Sequence, residues 1–287
     1  MTLQIGFEDG ERGLDWLELT RAFKAGHALP KAEISDTFLY RGTDTLLNRS
    51  AWIDGLGIAV KCATVFPGKD PMINGAVSLF RDSDGVLEAY IDFHLITKWK
   101  TAGDSLWGAM RLARPESRKV LIVGSGTVAR NLHDAYSAGF PGAEFTVWSR
   151  TRANAKTFAR DRDAVVADDL QEAVRAADIV TCATMSTDPV LQGAWLQPGQ
   201  HVDLIGAYRP DMREADDEAL RRARVFVDSF DTTIGHIGEV QIPLESGAIA
   251  PDDLLADYYS GARFERTSDD EITLFKNGGG AHLDLMT

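Results

Sequence analysis

Apolar and polar positions along the chain fall into two stretches with different periods. Before about residue 115, an amphipathic helix is expected from Leu14 to Ala25, with Leu14, Leu17 and Phe23 at helical spacing. Strand-like runs follow at Thr37–Tyr40, Gly57–Phe66, Ala76–Phe80 and Val86–Ile91. Turn signals separate them, among them Pro67-Gly68-Lys69-Asp70-Pro71 and Asp82-Ser83-Asp84-Gly85. A long helix is predicted from about Thr97 to Ala113, stopped by Pro115. This half reads as an α+β unit.

From Arg118 the pattern becomes alternating strands and helices. KVLIVG is a strand, TVARNLHDAYSAG a helix, EFTVWS a strand and RANAKTFARD a helix, and the short strands ADIVTCAT, HVDLIGA and ARVFVDS follow. Continuous apolar strands separated by helices imply a parallel sheet covered on both faces. The last stretch, EITLFKNGGGAHLD, reads as a strand, a glycine turn and the start of a helix. The expected fold class is therefore α/β, a Rossmann dinucleotide-binding domain plus an α+β substrate and dimerisation domain. The expected boundaries are 1–114 for the substrate domain, rejoined by 270–287, and 115–269 for the Rossmann domain.

Gly124-Ser125-Gly126-Thr127-Val128-Ala129 follows a strand and opens a helix, which is the setting a G-x-G-x-x-G/A dinucleotide loop requires. Gly124 permits the tight turn, Gly126 lets the backbone approach a pyrophosphate, and Ala129 allows close helix–strand packing. The helix N-terminus, with Thr127 and Val128, supplies free N–H groups. At the end of the second strand an acid would hold the ribose hydroxyls of NAD. Here the residues are Ser149, Arg150, Thr151 and Arg152, which would receive a 2′-phosphate. NADP(H) is therefore favoured, with NAD(H) the alternative.

Composition narrows the partners. The net charge of −13 lacks the basic footprint that nucleic acid demands. No apolar run approaches the roughly 20 residues that span a bilayer, and the polar, acidic N-terminus has no signal-peptide core. Cys62 and Cys182 sit in apolar runs and are expected to pack as small hydrophobes, with no zinc or disulfide pattern. A cytoplasmic enzyme fits. His94, His201 and His236 stand singly and read as structural.

The motifs in order resemble the ornithine cyclodeaminase/mu-crystallin family over nearly the whole chain. They are Gly57-Ile58-Ala59-Val60-Lys61, Phe66-Pro67-Gly68, Asp92 through Ala102, the glycine loop, Ala183-Thr184, Pro189-Val190-Leu191, Ile205-Gly206-Ala207, Pro210 with Arg213-Glu214, Val227-Asp228-Ser229 and Ile272 to Lys276. The resemblance implies a homodimer and a small imino- or amino-acid substrate. It places the substrate carboxylate on Arg41, Lys61 and Lys100, with Lys61 also catalytic and Gly278 lining the substrate. Arg49 lies nearby in GTDTLLNRSAWIDG, a segment that departs from the family pattern. It also implies cofactor contacts from Thr101, Ala183, Thr184, Ile205, Gly206, Ala207 and Asn277.

Three departures matter. Lys100 stands where the family has arginine, with Lys98 as a candidate extra cation. Tyr208 stands where ornithine-cyclising members carry an aspartate. Lys276-Asn277-Gly278-Gly279-Gly280 is richer in glycine than the family norm, which suggests a flexible loop. The expected activity is reduction of a 2-imino acid by NAD(P)H, either a cyclic ketimine such as pyrroline-2-carboxylate or an open-chain acid such as iminosuccinate. The alternatives are an amino-acid dehydrogenase, an ornithine-type cyclodeaminase with retained NAD, and a non-catalytic, crystallin-like binder of NADPH.

Overall fold

The structure, a computed structural model, describes residues 2–287 and divides the chain into two compact units. Unit 1 comprises residues up to Lys100 together with Gly280–Thr287, and unit 2 comprises Thr101–Gly279. Both expected boundaries therefore move. The helix Phe93–Leu112 is one continuous element, and the division falls inside it.

Unit 1 is built on a six-stranded sheet. Its strands are β1 (Leu3–Ile5), β2 (Glu33–Arg41), β3 (Asp44–Ile53), β4 (Gly57–Val65), β5 (Ile73–Phe80) and β6 (Leu87–Asp92), in the order β1-β6-β5-β4-β3-β2. All neighbours are antiparallel except β1 and β6. Sequence periodicity misses β3 altogether and shortens β2, because β2 is an edge strand exposed along most of its length. Such a strand carries no inside–outside alternation to read. In β4 the alternation is plain: Gly57, Ala59, Lys61 and Ala63 are buried, while Cys62 is exposed. Cys62 is thus not the packed hydrophobe expected of it, whereas Cys182 is buried.

The helix Trp16–Gly26 is capped by Asp15, whose carboxylate accepts from the N–H groups of Leu17 and Glu18 at 3.0 and 2.9 Å. Trp16 stacks on Trp99 with ring centroids 3.9 Å apart. The C-terminal helix Ala281–Met286 packs on this unit so closely that a Cβ on Gly26 would lie 2.6 Å from the Met286 sulfur.

Unit 2 is an eight-stranded, all-parallel sheet. Its strands are β7 (Lys119–Val123), β8 (Glu144–Trp148), β9 (Val165–Val166), β10 (Ile179–Cys182), β11 (His201–Leu204), β12 (Arg224–Val227), β13 (Leu254–Ala256) and β14 (Thr273–Lys276), in the order β13-β12-β14-β11-β10-β7-β8-β9. Its core holds Val123, Val180, Leu204, Val225 and Leu274. The strand β14 lies between β11 and β12 and is wholly buried. Residues 270–279 therefore belong to the nucleotide unit, and only the final helix returns to unit 1.

Residues 101–114 also belong to unit 2, for reasons visible in their bonds. Ser105 Oγ donates to Asp203 at 3.0 Å, Tyr258 OH donates to Asp104 at 2.8 Å, and the Leu112 carbonyl accepts from Thr273 and Arg266. Buried polar groups must be satisfied locally, and these are satisfied within the sheet unit. His201 is structural, as expected: it is buried, and its Nδ1 lies 2.9 Å from the Thr273 hydroxyl. Burial and the Arg266 charge hold its pKa down at about 3. Among the described residues no helix is long and apolar enough to cross a membrane.

Candidate active site

The carboxyl ends of the parallel strands in unit 2 carry the candidate cofactor-binding residues. Gly124, at φ +127°, turns tightly, and a Cβ there would lie 2.6 Å from the Ala183 carbonyl oxygen. Gly126 differs, since an added Cβ would meet nothing within 4 Å and Gly126, Thr127 and Val128 are exposed. The helix Thr127–Gly139 begins at Gly126 without a side-chain cap or an acid in its first turn. Helices elsewhere in the chain start on Asp15, Asp169 and Asp216. An uncapped N-terminus with an open glycine approach fits a pyrophosphate.

The end of β8 supplies the next contacts. Trp148, Ser149, Arg150, Arg152, Ala167 and Asp168 line a pocket. Ser125 donates to the Ser149 hydroxyl at 3.0 Å, and Thr151 starts the next helix. The sequence suggested two available guanidiniums here, but Arg152 is paired with Asp168, which leaves the exposed Arg150 as the candidate phosphate partner.

The wall formed by Ala183, Thr184, Ile205, Gly206 and Ala207 rests on a residue to which sequence reasoning gave no role. Glu214 is fully buried. One oxygen accepts from the Thr184 N–H at 2.6 Å and the Thr184 hydroxyl at 2.7 Å, and the other from the Gly206 N–H at 2.6 Å. Burial and the neighbouring Glu239 raise its pKa to about 8, while Lys276 and the Thr184 donors oppose that rise. With donors on both oxygens, the Glu214 carboxyl group ties the loops after β10 and β11 together. Gly206 has no room for a side chain, since a Cβ would lie 1.9 Å from the Thr184 carbonyl. Glu214→Gln should turn an amide NH2 against a backbone N–H. Leaving a buried donor unmet costs about 1–3 kcal/mol, so the dissociation constant for NAD(P)H, followed by fluorescence, should rise about fivefold or more. An unchanged constant would show that the wall does not depend on this carboxylate.

The glycine-rich end is not a loose loop. Asn277 Nδ2 donates to the Thr101 carbonyl and to Ser105 Oγ, each at 3.0 Å, and Asn277 N donates to Leu204 O at 3.1 Å. A Cβ on Gly278 would lie 2.6 Å from Thr233 Oγ1 and 2.7 Å from Asp228 Oδ1. Its glycine is explained by packing within unit 2. Tyr208 is 57% exposed.

Unit 1 contains a row of side chains on one sheet face. Register places Asp36, Arg49, Lys61 and Val77 opposite one another across β2, β3, β4 and β5. Asp36 accepts from Arg49 Nε and Nη2 at 2.9 and 2.8 Å. Lys61 Nζ donates to Asp284 Oδ1 at 2.7 Å, and both side chains are almost wholly buried. Burial lowers the Lys61 pKa to about 7. The Asp284 charge opposes this shift, and the Lys100 and Arg49 charges reinforce it.

Arg41 is not part of this row. It sits at the far end of the β2–β3 hairpin, exposed and paired with Asp44 at 2.8 Å, and Arg49 is the arginine brought to Lys61. Lys98 is not an extra cation, because it pairs with Glu11. Lys100 is buried, and its charge helps to lower the Lys61 pKa.

Comparisons with known proteins agree on one family. The sequence model of the ornithine cyclodeaminase/mu-crystallin family matches residues 57–287. Delta(1)-pyrroline-2-carboxylate reductase of Paracoccus denitrificans is 50% identical, covering 98% of this chain and 93% of the relative. An archaeal alanine dehydrogenase dimer with bound NAD superposes with a TM-score of 0.90 at 26% identity, covering 99% of this chain and 93% of the other. Thermococcus litoralis Delta(1)-pyrroline-2-carboxylate reductase, in complex with NADH and L-proline, shares the fold at a TM-score of 0.90 and 24% identity, covering 99% and 94%.

Proposed function

The chain belongs to the ornithine cyclodeaminase/mu-crystallin family, and on that premise we propose that it reduces a 2-imino acid to the amino acid with NAD(P)H. Pyrroline-2-carboxylate is the substrate that best fits its kinship with the Paracoccus enzyme. The observation that carries the reading is Lys61, a buried ammonium flanked by Arg49 and Lys100. A buried amine costs several kcal/mol unless it is paired or used, and this cluster suits a substrate carboxylate. The absence of an acid at Tyr208 removes the group that ornithine cyclisation would use.

Arg49, Lys61 and Lys100 hold the carboxylate, and Lys61, with a pKa near 7, delivers a proton to nitrogen. When bound, the reduced nicotinamide supplies hydride to the imine carbon. Thr127 and Val128 receive the pyrophosphate at the helix start, with Ser149, Arg150 and Thr151 on the ribose side. Thr101, Ala183, Thr184, Ile205, Gly206, Ala207 and Asn277 complete the cofactor contacts, and Gly278 lies on the substrate side. Rates of NADPH and NADH oxidation across cyclic and acyclic 2-imino acids test the assignment. Turnover with pyrroline-2-carboxylate supports it, and a flat panel contradicts it.

The cofactor is NADP(H) in preference to NAD(H), because Arg150 is unclaimed by an acid while Arg152 is held by Asp168. Arg150→Asp should weaken NADPH about tenfold or more, the loss of one charge-assisted contact of about 1.5–3 kcal/mol, and leave NADH nearly unchanged. An unaltered preference would make the arginine a bystander.

The protein is a cytoplasmic homodimer joined through unit 1. A cytoplasmic setting accords with two cysteines that are both thiols. The outer edge of the sheet is β2, where Phe38, Leu39 and Tyr40 are 48%, 65% and 73% exposed. A long apolar edge calls for a covering partner. Light scattering should give twice the 31.4 kDa chain mass, and a monomer at micromolar concentration would contradict it.

A further inference from the structure

Asp284 is the one buried carboxylate among the described residues of unit 1. Its Oδ1 accepts from Lys61 Nζ at 2.7 Å, while its buried Oδ2 has no hydrogen-bond partner. Service as a counter-ion to Lys61 accounts for the first oxygen and leaves the second desolvated for nothing, at a cost that buried polar atoms rarely bear. The group also stands among cations, since the Lys100 and Arg49 charges both act on its partner Lys61.

Resting on the imino-acid reading, we propose that Asp284 is a catalytic residue whose Oδ2 accepts the N–H of the substrate's protonated imine nitrogen. In a 2-imino acid the nitrogen sits on the carbon that bears the carboxylate. A substrate whose carboxylate oxygen is held by Lys61 therefore brings its nitrogen close to the carboxylate that Lys61 already grips. Charge fixes the remaining orientation. Asp284 repels the substrate carboxylate toward Arg49 and Lys100 and attracts the cationic nitrogen. The acid absent at Tyr208 is thereby supplied from the C-terminal helix.

The step balances. Hydride adds to the imine carbon, the C=N π pair moves onto nitrogen, and the existing N–H remains on Asp284. The neutral amine then takes one proton from the Lys61 ammonium, and Lys61 regains a proton from solvent. Asp284 holds the electrophilic iminium before the step and the ammonium after it, without itself changing protonation.

Two ligands separate the role from simple packing. L-proline presents a ring N–H, and tetrahydrofuran-2-carboxylate has an ether oxygen in the same place. Titrated calorimetrically into the NADP+-bound wild-type protein, L-proline should bind about tenfold or more tightly than the ether, the value of a hydrogen bond to a charged group. Asp284→Asn keeps the side-chain shape and an oxygen for Lys61. It should close that gap by weakening L-proline alone, and it should lower kcat/KM about tenfold or more, the value of the same hydrogen bond, with the NADPH dissociation constant unchanged. Equal affinity of the wild type for both ligands would overturn the inference while leaving the imino-acid reading intact, and so would a parallel loss of both in D284N. Binding of neither ligand to the wild type would overturn the reading and the inference together. The wild-type comparison needs no variant, so it decides the matter even where D284N fails to fold.

Discussion

Lys61→Ala is expected to lower kcat/KM by roughly 10²-fold or more, since general acid–base help alone contributes about 10²–10⁴. The residue lies on the buried face of β4, opposite Arg49 in register and bonded to Asp284. Its removal would take away the proposed carboxylate anchor and the proposed proton donor together. Burial and the Lys100 and Arg49 charges lower its pKa to about 7 against the pull of Asp284. The donor form therefore predominates below that pH, and the wild-type rate should fall as pH rises through it. The residual activity of the variant should lack this limb. Losing Lys61 also leaves Asp284 as an unpaired buried charge, which costs about 3–5 kcal/mol, so retained NADPH binding must accompany the kinetics to show that the fold persists. Full activity in the variant would make Lys61 structural.

Gly126→Val should abolish cofactor binding while sparing the protein. At φ −81° the backbone is in ordinary territory for valine, and an added Cβ meets no protein atom within 4 Å. The new side chain would instead occupy the approach of the pyrophosphate to the helix start. Loss of two charge-assisted hydrogen bonds, each worth about 1.5–3 kcal/mol, corresponds to more than 10²-fold in affinity, with the melting temperature near that of the wild type. Gly206→Ala is the contrasting case, because its Cβ would lie 1.9 Å from a carbonyl oxygen and the loop itself would have to move. Wild-type affinity in G126V would remove the pyrophosphate from this loop.

These two residues were legible in the sequence, for different physical reasons. The glycine loop announces itself because strand, turn and helix are contiguous, and Lys61 because a charge interrupts an apolar run. Arg49 was missed as the partner because β2 is an edge strand and its hairpin with β3 shows little burial alternation. Register would have found it. The β3–β4 hairpin pairs Ile53 with Gly57, and stepping back along both strands from that turn brings Arg49 opposite Lys61. Asp284 lies 223 positions from Lys61, and Glu214 supports its loops from outside the strands it joins. Contacts of that kind depend on chain return, which local periodicity does not encode. The same holds for β14, readable as a strand but not as one inserted between β11 and β12.

In the proposed reaction, hydride reaches the carbon of a C=N bond adjacent to a carboxylate. Turnover of pyrroline-2-carboxylate with NADPH deuterated at the transferable C4 position tests it most directly. The expected product is L-proline carrying one deuterium at Cα, formed in equal amount to NADP+. Unlabelled product, or ammonia released from ornithine with no net change in cofactor, would contradict it.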